Sequence, residues 1–171
     1  MKIFIVNGAG GSGKTTFERM VENISEQEGY DIRVLSTIDY VKQIAKTLDW
    51  DGGKTLNDRR FLSDLKDALT RWKDVPYQKI KETLEAFDFI QRIDAVFIDC
   101  REPEEIARFV KDYNAITILV QRGESVTFGN HADDNVKNYQ YDITIDNSRG
   151  LDELNQEAQI FVETWLGEDN D

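Results

Sequence analysis

Gly8-Ala9-Gly10-Gly11-Ser12-Gly13-Lys14-Thr15, preceded by the apolar run Ile3-Phe4-Ile5-Val6, satisfies G-x-x-x-x-G-K-[ST] at every fixed position. Average residue frequencies place that pattern by chance in roughly one chain in 200 of this length. Its context narrows the reading further. The apolar run reads as a strand, and Phe17, Met20, Val21 and Ile24 recur on one face of a helix that starts directly after the glycines. Strand, glycine loop and helix start form the geometry that binds phosphate. Glycines let successive N–H groups turn inward, and the helix N-terminus adds partial positive charge. Lys14 then reaches β- and γ-phosphates, the Thr15 hydroxyl is placed to ligate Mg²⁺, and Gly8, Gly10, Gly11, Ser12, Gly13 and Thr16 complete the cradle. The stretch predicts a bound nucleoside triphosphate.

Outward from this loop, the chain alternates strand and helix. Gly29 ends the first helix, and Ile32-Arg33-Val34-Leu35-Ser36 reads as a second strand. A helix carries Val41, Ile44, Ala45 and Leu48 and stops at Asp49–Gly53. Asn57 or Asp58 is placed to cap the next helix, whose apolar face holds Phe61, Leu62, Leu65, Leu69 and Trp72. Pro76 suits a first helical turn, with Ile80, Leu84 and Phe87 following. Ala95–Asp99 is a third strand, Pro103 opens a helix, Ile116–Val120 is a fourth strand and Tyr141–Ile145 a short fifth. Leu151, Leu154, Ala158, Phe161, Val162 and Trp165 mark a closing helix. Residues 122–138 are polar and read as a mobile loop. Strands apolar on both faces, separated by helices, predict a parallel α/β sheet covered on both sides. Ligands of such sheets sit beyond the carboxyl ends of the strands.

Bulk properties set bounds. The 171 residues suit one domain with a proper core, and 40% hydrophobic and 11% aromatic content with two prolines argues against disorder. No apolar run is long enough for a transmembrane helix, and residues 1–6 read as a strand instead of a signal peptide. The single cysteine, Cys100, excludes an internal disulfide framework and points to a reducing cytoplasm. The net charge of −12 argues against nucleic acid or an anionic membrane as partner. A nucleotide is also an anion, so its site must be a local cationic island.

Several polar residues fall at strand ends. Asp39, past the second strand, either faces a transferred phosphoryl group or caps the helix starting near Tyr40. Asp99 ends an apolar strand in the Walker B manner, where an aspartate holds Mg²⁺ directly or through water. Arg101 lies two residues on, facing the same way. Its planar fork suits a phosphate, with a salt bridge to Glu102, Glu104 or Glu105 as the alternative. Arg59 or Arg60 is a candidate for an acceptor phosphate against the default of a solvated helix arginine, and Arg122 opens the polar loop where a lid arginine belongs. His131 reads as a loop residue. With no second histidine and no clustered cysteines, the chain lacks the ligands of a zinc site.

The P-loop, Ala45–Lys54 with Asp58-Arg59-Arg60-Phe61-Leu62, Asp99-Cys100-Arg101-Glu102, Asn130-His131-Ala132-Asp133-Asp134 and Asp142–Asn147 together resemble bacteriophage-type deoxynucleoside monophosphate kinases. More distantly, Asp39 and the Asp99-x-Arg101 pair resemble dephospho-coenzyme A kinase and phosphomevalonate kinase. The matches run in order from residue 1 to about 155. The resemblance implies a single three-layer P-loop kinase domain over residues 1–171, with a five-stranded parallel sheet in order 2-3-1-4-5 and helices on both faces. It also implies a helical acceptor-binding insert at about 50–92 and a lid at about 122–138. ATP with Mg²⁺ would be the donor and a small monophosphate, a nucleoside or deoxynucleoside monophosphate first, the acceptor. A non-nucleotide phosphorylated metabolite, or an NTP-hydrolysing switch or binding protein, are the alternatives. Lys14, Asp39, Arg101 and Arg122 would be catalytic, Thr15 and Asp99 would hold the metal, and Asp39, Arg59, Arg60 and Arg101 would face the acceptor. Asn147 onward would form the adenine-side loop. The chain departs from the family where Arg149 precedes Gly150, and in a short lid with one obvious arginine. Oligomeric state stays open, a homodimer included.

Overall fold

A computed structural model describes residues 1–123, 136 and 139–167. In chain order the elements are β1 (Lys2–Asn7), α1 (Lys14–Glu28), β2 (Ile32–Ser36), α2 (Asp39–Thr47), α3 (Leu56–Lys73), α4 (Val75–Ile90), β3 (Ala95–Asp99), α5 (Pro103–Tyr113), β4 (Ile116–Gln121), β5 (Ile143–Asp146) and α6 (Leu151–Trp165). The strands form one sheet in order β2-β3-β1-β4-β5, the order the resemblance implied. β1 pairs in parallel with β3 and β4, and β4 with β5. The chain divides into two compact units, residues 1–34 with 91–171, and residues 35–90.

The first unit carries the main core. Alternate residues of the central strands point to opposite faces. On one face Phe4, Val6, Phe97, Ile118 and Val120 pack with Phe17 and Val21 of α1 and Leu154, Ala158 and Phe161 of α6. Phe161 sits at the centre, its ring 5.0 Å from Phe4 and 5.7 Å from both Phe17 and Phe97. Ile3, Ile5, Val96 and Ile98 point the other way and are equally buried, which is why these strands lack polar alternation. Ile106 and Phe109 of α5 are buried as well.

β5 begins at Ile143, two residues later than the sequence pattern predicts. Asp142 is drawn out of the strand, its Oδ2 accepting from the Thr117 amide at 2.8 Å and the Thr117 hydroxyl at 2.7 Å. This lock sets the register between β4 and β5, and Ile118 therefore pairs with Ile143.

In the second unit, α3 starts earlier than the expected caps at Asn57 or Asp58. Thr55 is the N-cap: its side chain accepts from the Asp58 amide, and the Asp58 side chain accepts from the Thr55 amide, a reciprocal capping box. Asp58 also accepts from the Trp50 indole at 3.2 Å. No α3 residue is fully buried, and Trp72 is 69% exposed. The expected apolar face is thus a half-buried stripe that ends before Trp72. α4 contributes the buried residues Tyr77, Ile80 and Leu84.

Candidate active site

The site is built where β1 hands over to α1. Gly8 must be glycine because a side chain would collide with the Val120 carbonyl and the Ser12 hydroxyl. Gly13 has a left-handed backbone, φ 101°, and a Cβ there would run into the Asn147 amide. Gly13 is also the N-cap of α1, and a side chain makes no hydrogen bond to this helix start. A helix N-terminus at this turn directs its partial positive charge toward the cleft.

Two asparagines hold the loop. The Asn7 carbonyl oxygen accepts from the Gly8 amide at 2.7 Å, and its amide donates to the Tyr141 hydroxyl at 2.8 Å. Asn147 follows β5, its backbone amide donating to Gln121 O at 2.7 Å, and its side chain donates to Ser12 O at 2.9 Å. Both side chains are buried, so each amide is committed to the loop's shape.

A cleft of about 330 Å³ opens over the loop, lined by Gly11, Ser12, Gly13, Lys14, Thr15, Thr16, Arg122, Asn147, Gly150 and Leu151, with Ala9. Residues separated by more than a hundred positions meet here. Lys14 Nζ donates to Gly8 O at 3.0 Å, folded back over the loop. Arg122 stands exposed just past β4. Arg149 turns to Glu157 on α6, 3.2 Å away, and leaves Gly150 and Leu151 as the cleft wall.

Asp99 lies opposite Val6 in the β3–β1 register, so it ends its strand beside the start of the loop. Its Oδ1 is buried. Arg101 follows, half-buried, its carbonyl accepting from Asn7 Nδ2 at 3.4 Å. Cys100 between them is buried and donates to Glu105 Oε2 at 3.4 Å, a packing role.

The remaining sequence candidates belong to the second unit. Asp39 is the first residue of α2, not its N-cap, which is Ile38. Its Oδ2 accepts from the Ser36 amide at 2.9 Å, and Lys42 stands 3.7 Å from Oδ1, with half the Asp39 side chain exposed. Arg59 is exposed, and Arg60 pairs loosely with Asp64 at 3.9 Å. The lid expected over 122–138 lies, apart from Arg122, Gly123 and Val136, outside the described residues, and His131 with it.

Sequence reasoning missed Glu18. It lies on α1 one turn beyond Lys14 and is 3% exposed, and its Oε1 is buried with no hydrogen-bond partner. Its carboxyl is pushed up to about 7, chiefly by burial and then by the Asp99 charge, with Lys14 opposing and Glu22 adding a little. One signal was present: Glu18, Val21 and Ser25 recur at helical spacing on the buried side, so a charge stands in a core stripe.

Among the described residues, no three acidic, histidine or cysteine side chains gather as a closed metal cage. No described helix is long and apolar enough to cross a membrane.

No family model matches the chain, and no curated protein matches it. Among solved structures, a single-site variant of the Mycobacterium tuberculosis APS kinase CysC is similar at 19% identity and TM-score 0.44, covering 95% of this chain and 96% of that one. The same kinase in complex with AMPPNP and APS is similar at 17% identity and TM-score 0.46, covering 95% and 97%. At TM-scores this low neither likeness bears on what this chain does; its own residues have to carry that.

Proposed function

We propose that the chain is an ATP-dependent phosphotransferase that moves the γ-phosphoryl group to a small phosphate-bearing acceptor, a nucleoside or deoxynucleoside monophosphate first. The observation that carries the reading is the phosphate loop itself. It is a helix start with glycine as its N-cap, held in shape by Asn7 and Asn147 and opening on a cleft that contains Lys14 and Arg122. Such a site offers backbone N–H groups and two cations to a polyphosphate in an otherwise acidic protein.

In this reading the loop from Gly8 to Thr16 takes the β- and γ-phosphates. Lys14 swings from Gly8 O to the phosphate oxygens and, with Arg122, stabilises charge on the transferring group. The oxygen donors at Thr15 and Asp99, with the orphaned buried Glu18 oxygen nearby, fit Mg²⁺, which prefers hard oxygen ligands and needs no closed protein cage. When bound, Mg²⁺ draws charge from the phosphate oxygens. An acceptor phosphate oxygen attacks the γ-phosphorus as the bond to the β-phosphate oxygen breaks, and ADP leaves. Arg101 is the acceptor-phosphate arginine of the first unit, and Asp39 and Arg59 or Arg60 are the acceptor-side candidates carried by the second. Gly150 and Leu151, following Asn147, form the base side of the donor cleft. The helical segment at about 50–92 selects the acceptor within one kinase domain, and the lid at about 122–138 excludes water. One cysteine supports a cytoplasmic location.

The test is ATP consumption with Mg²⁺ against a panel of deoxy- and ribonucleoside monophosphates, dephospho-coenzyme A and phosphomevalonate. ADP formation accelerated by one phosphorylated acceptor, with a doubly phosphorylated product, is the expected result. ATP loss that no acceptor accelerates would instead identify an NTP-hydrolysing switch.

A further inference from the structure

Glu18 is the one charged side chain buried on the core side of α1, and the donor reading places its oxygen near the cation without saying what it does there. Removing a carboxylate from water without a hydrogen bond is costly, so an orphaned buried oxygen beside a ligand site calls for a partner that arrives with the ligand. The surroundings narrow what that partner is. Glu18 lies three residues after Thr15 and four after Lys14, hence on the same side of the helix as the P-loop hydroxyl and ammonium. Its charge interacts with Asp99 at the end of β3 and with Lys14. Two carboxylates and a hydroxyl around the mouth of a phosphate loop are the wrong sign for an anion and the right sign for a divalent cation. Mg²⁺ keeps several waters and is held by one or two carboxylates plus the phosphates of its substrate.

We propose that Glu18 is the second carboxylate of the divalent-cation site, acting with Thr15 and Asp99 to hold the hydration shell of the cation that enters with the triphosphate. The inference rests on the triphosphate-binding reading above. Its consequence is that α1 and β3 each anchor the cation by one acid, so nucleotide and metal arrive at a site that repels neither once both are present. Without the cation, Asp99 and Glu18 oppose each other across a poorly solvated gap.

The experiment is binding of Mn²⁺, followed by the loss of its free electron-resonance signal, to the full chain saturated with a β,γ-imido analogue of ATP. Glu18→Gln keeps the shape and removes the charge; it is expected to weaken Mn²⁺ roughly tenfold. The affinity of the analogue alone, measured calorimetrically in EDTA, is expected to stay the same or tighten, because an anion has been removed. Glu18→Asp keeps a carboxylate in a smaller side chain and is expected to recover part of the lost Mn²⁺ affinity. Mn²⁺ affinity within twofold of wild type in Glu18→Gln overturns the proposal and leaves Glu18 a buried structural acid. So does a Glu18→Asp variant as weak as Glu18→Gln, which would assign the loss to shape. Failure of the wild-type chain to bind the analogue at all overturns the triphosphate reading itself, and this inference with it.

Discussion

At Lys14 the ammonium donates to Gly8 O across the loop it belongs to. Its removal leaves backbone geometry that is set by Asn7, Asn147 and three left-handed or closely approached glycines, so Lys14→Ala should unfold at the wild-type temperature. Phosphotransfer should fall at least ~100-fold, the usual loss for one electrostatic contact to a transition state. Near-normal turnover in that variant would sink the kinase reading. Glu18 gives the opposite pattern, a residue whose replacement strengthens the fold. Its carboxyl sits at about 7 in the folded chain against 4.5 unfolded, raised by burial and by Asp99 and Glu22, with Lys14 opposing. The folded state holds that proton longer, so stability is fully present below pH 4.5 and is lost as pH rises through 7. In metal-free urea titrations, Glu18→Gln should match wild type near pH 4 and exceed it by about 3 kcal/mol above pH 8. A constant difference across that range would refute the assignment of the shift.

At the scale of elements, the central strands were plain in the sequence because burial on both faces removes polar alternation: β3 runs over the residues its apolar run marks. What the sequence hid were ends decided by side chains reaching the backbone. Asp142 shortens β5 by locking onto Thr117, and Asp58 serves as the third helical residue of α3 because Thr55 stands three positions before it. Neither contact has a periodicity to betray it. The same reasoning explains the mixed result for the candidate site. The phosphate loop is one contiguous pattern and was fully legible, whereas Glu18 becomes visible only when the helix face is known to be buried. α3 depends on its cap more than a core helix does, since no residue of it is fully buried. Thr55→Ala should therefore cost about 1 kcal/mol and lower helicity before global unfolding. Circular dichroism and hydrogen exchange across residues 56–60 are the measurements, and unchanged exchange there would discount the cap.

For the molecule as a whole, a net charge of −12 accompanies the cleft that the proposed function assigns to a polyphosphate anion. Long-range repulsion is screened by salt, with the Debye length falling from about 30 Å at 0.01 M to about 8 Å at 0.15 M. Association of the ATP analogue should accelerate with added salt over that range, the reverse of a basic binding surface. A stopped-flow rate that falls instead would mean that Lys14, Arg122 and the α1 terminus dominate the field at a distance.

The hydrogen bond from Asn147 to Ser12 joins positions 135 apart in the chain. During synthesis the glycine loop leaves the ribosome 135 residues ahead of the amide that braces it, which is made on the order of 10 s later. Until β5 has docked beside β4, the loop has no far wall and Gly13 has no neighbour to fit against. The nascent chain therefore carries the glycine pattern well before the loop acquires the brace that fixes its shape.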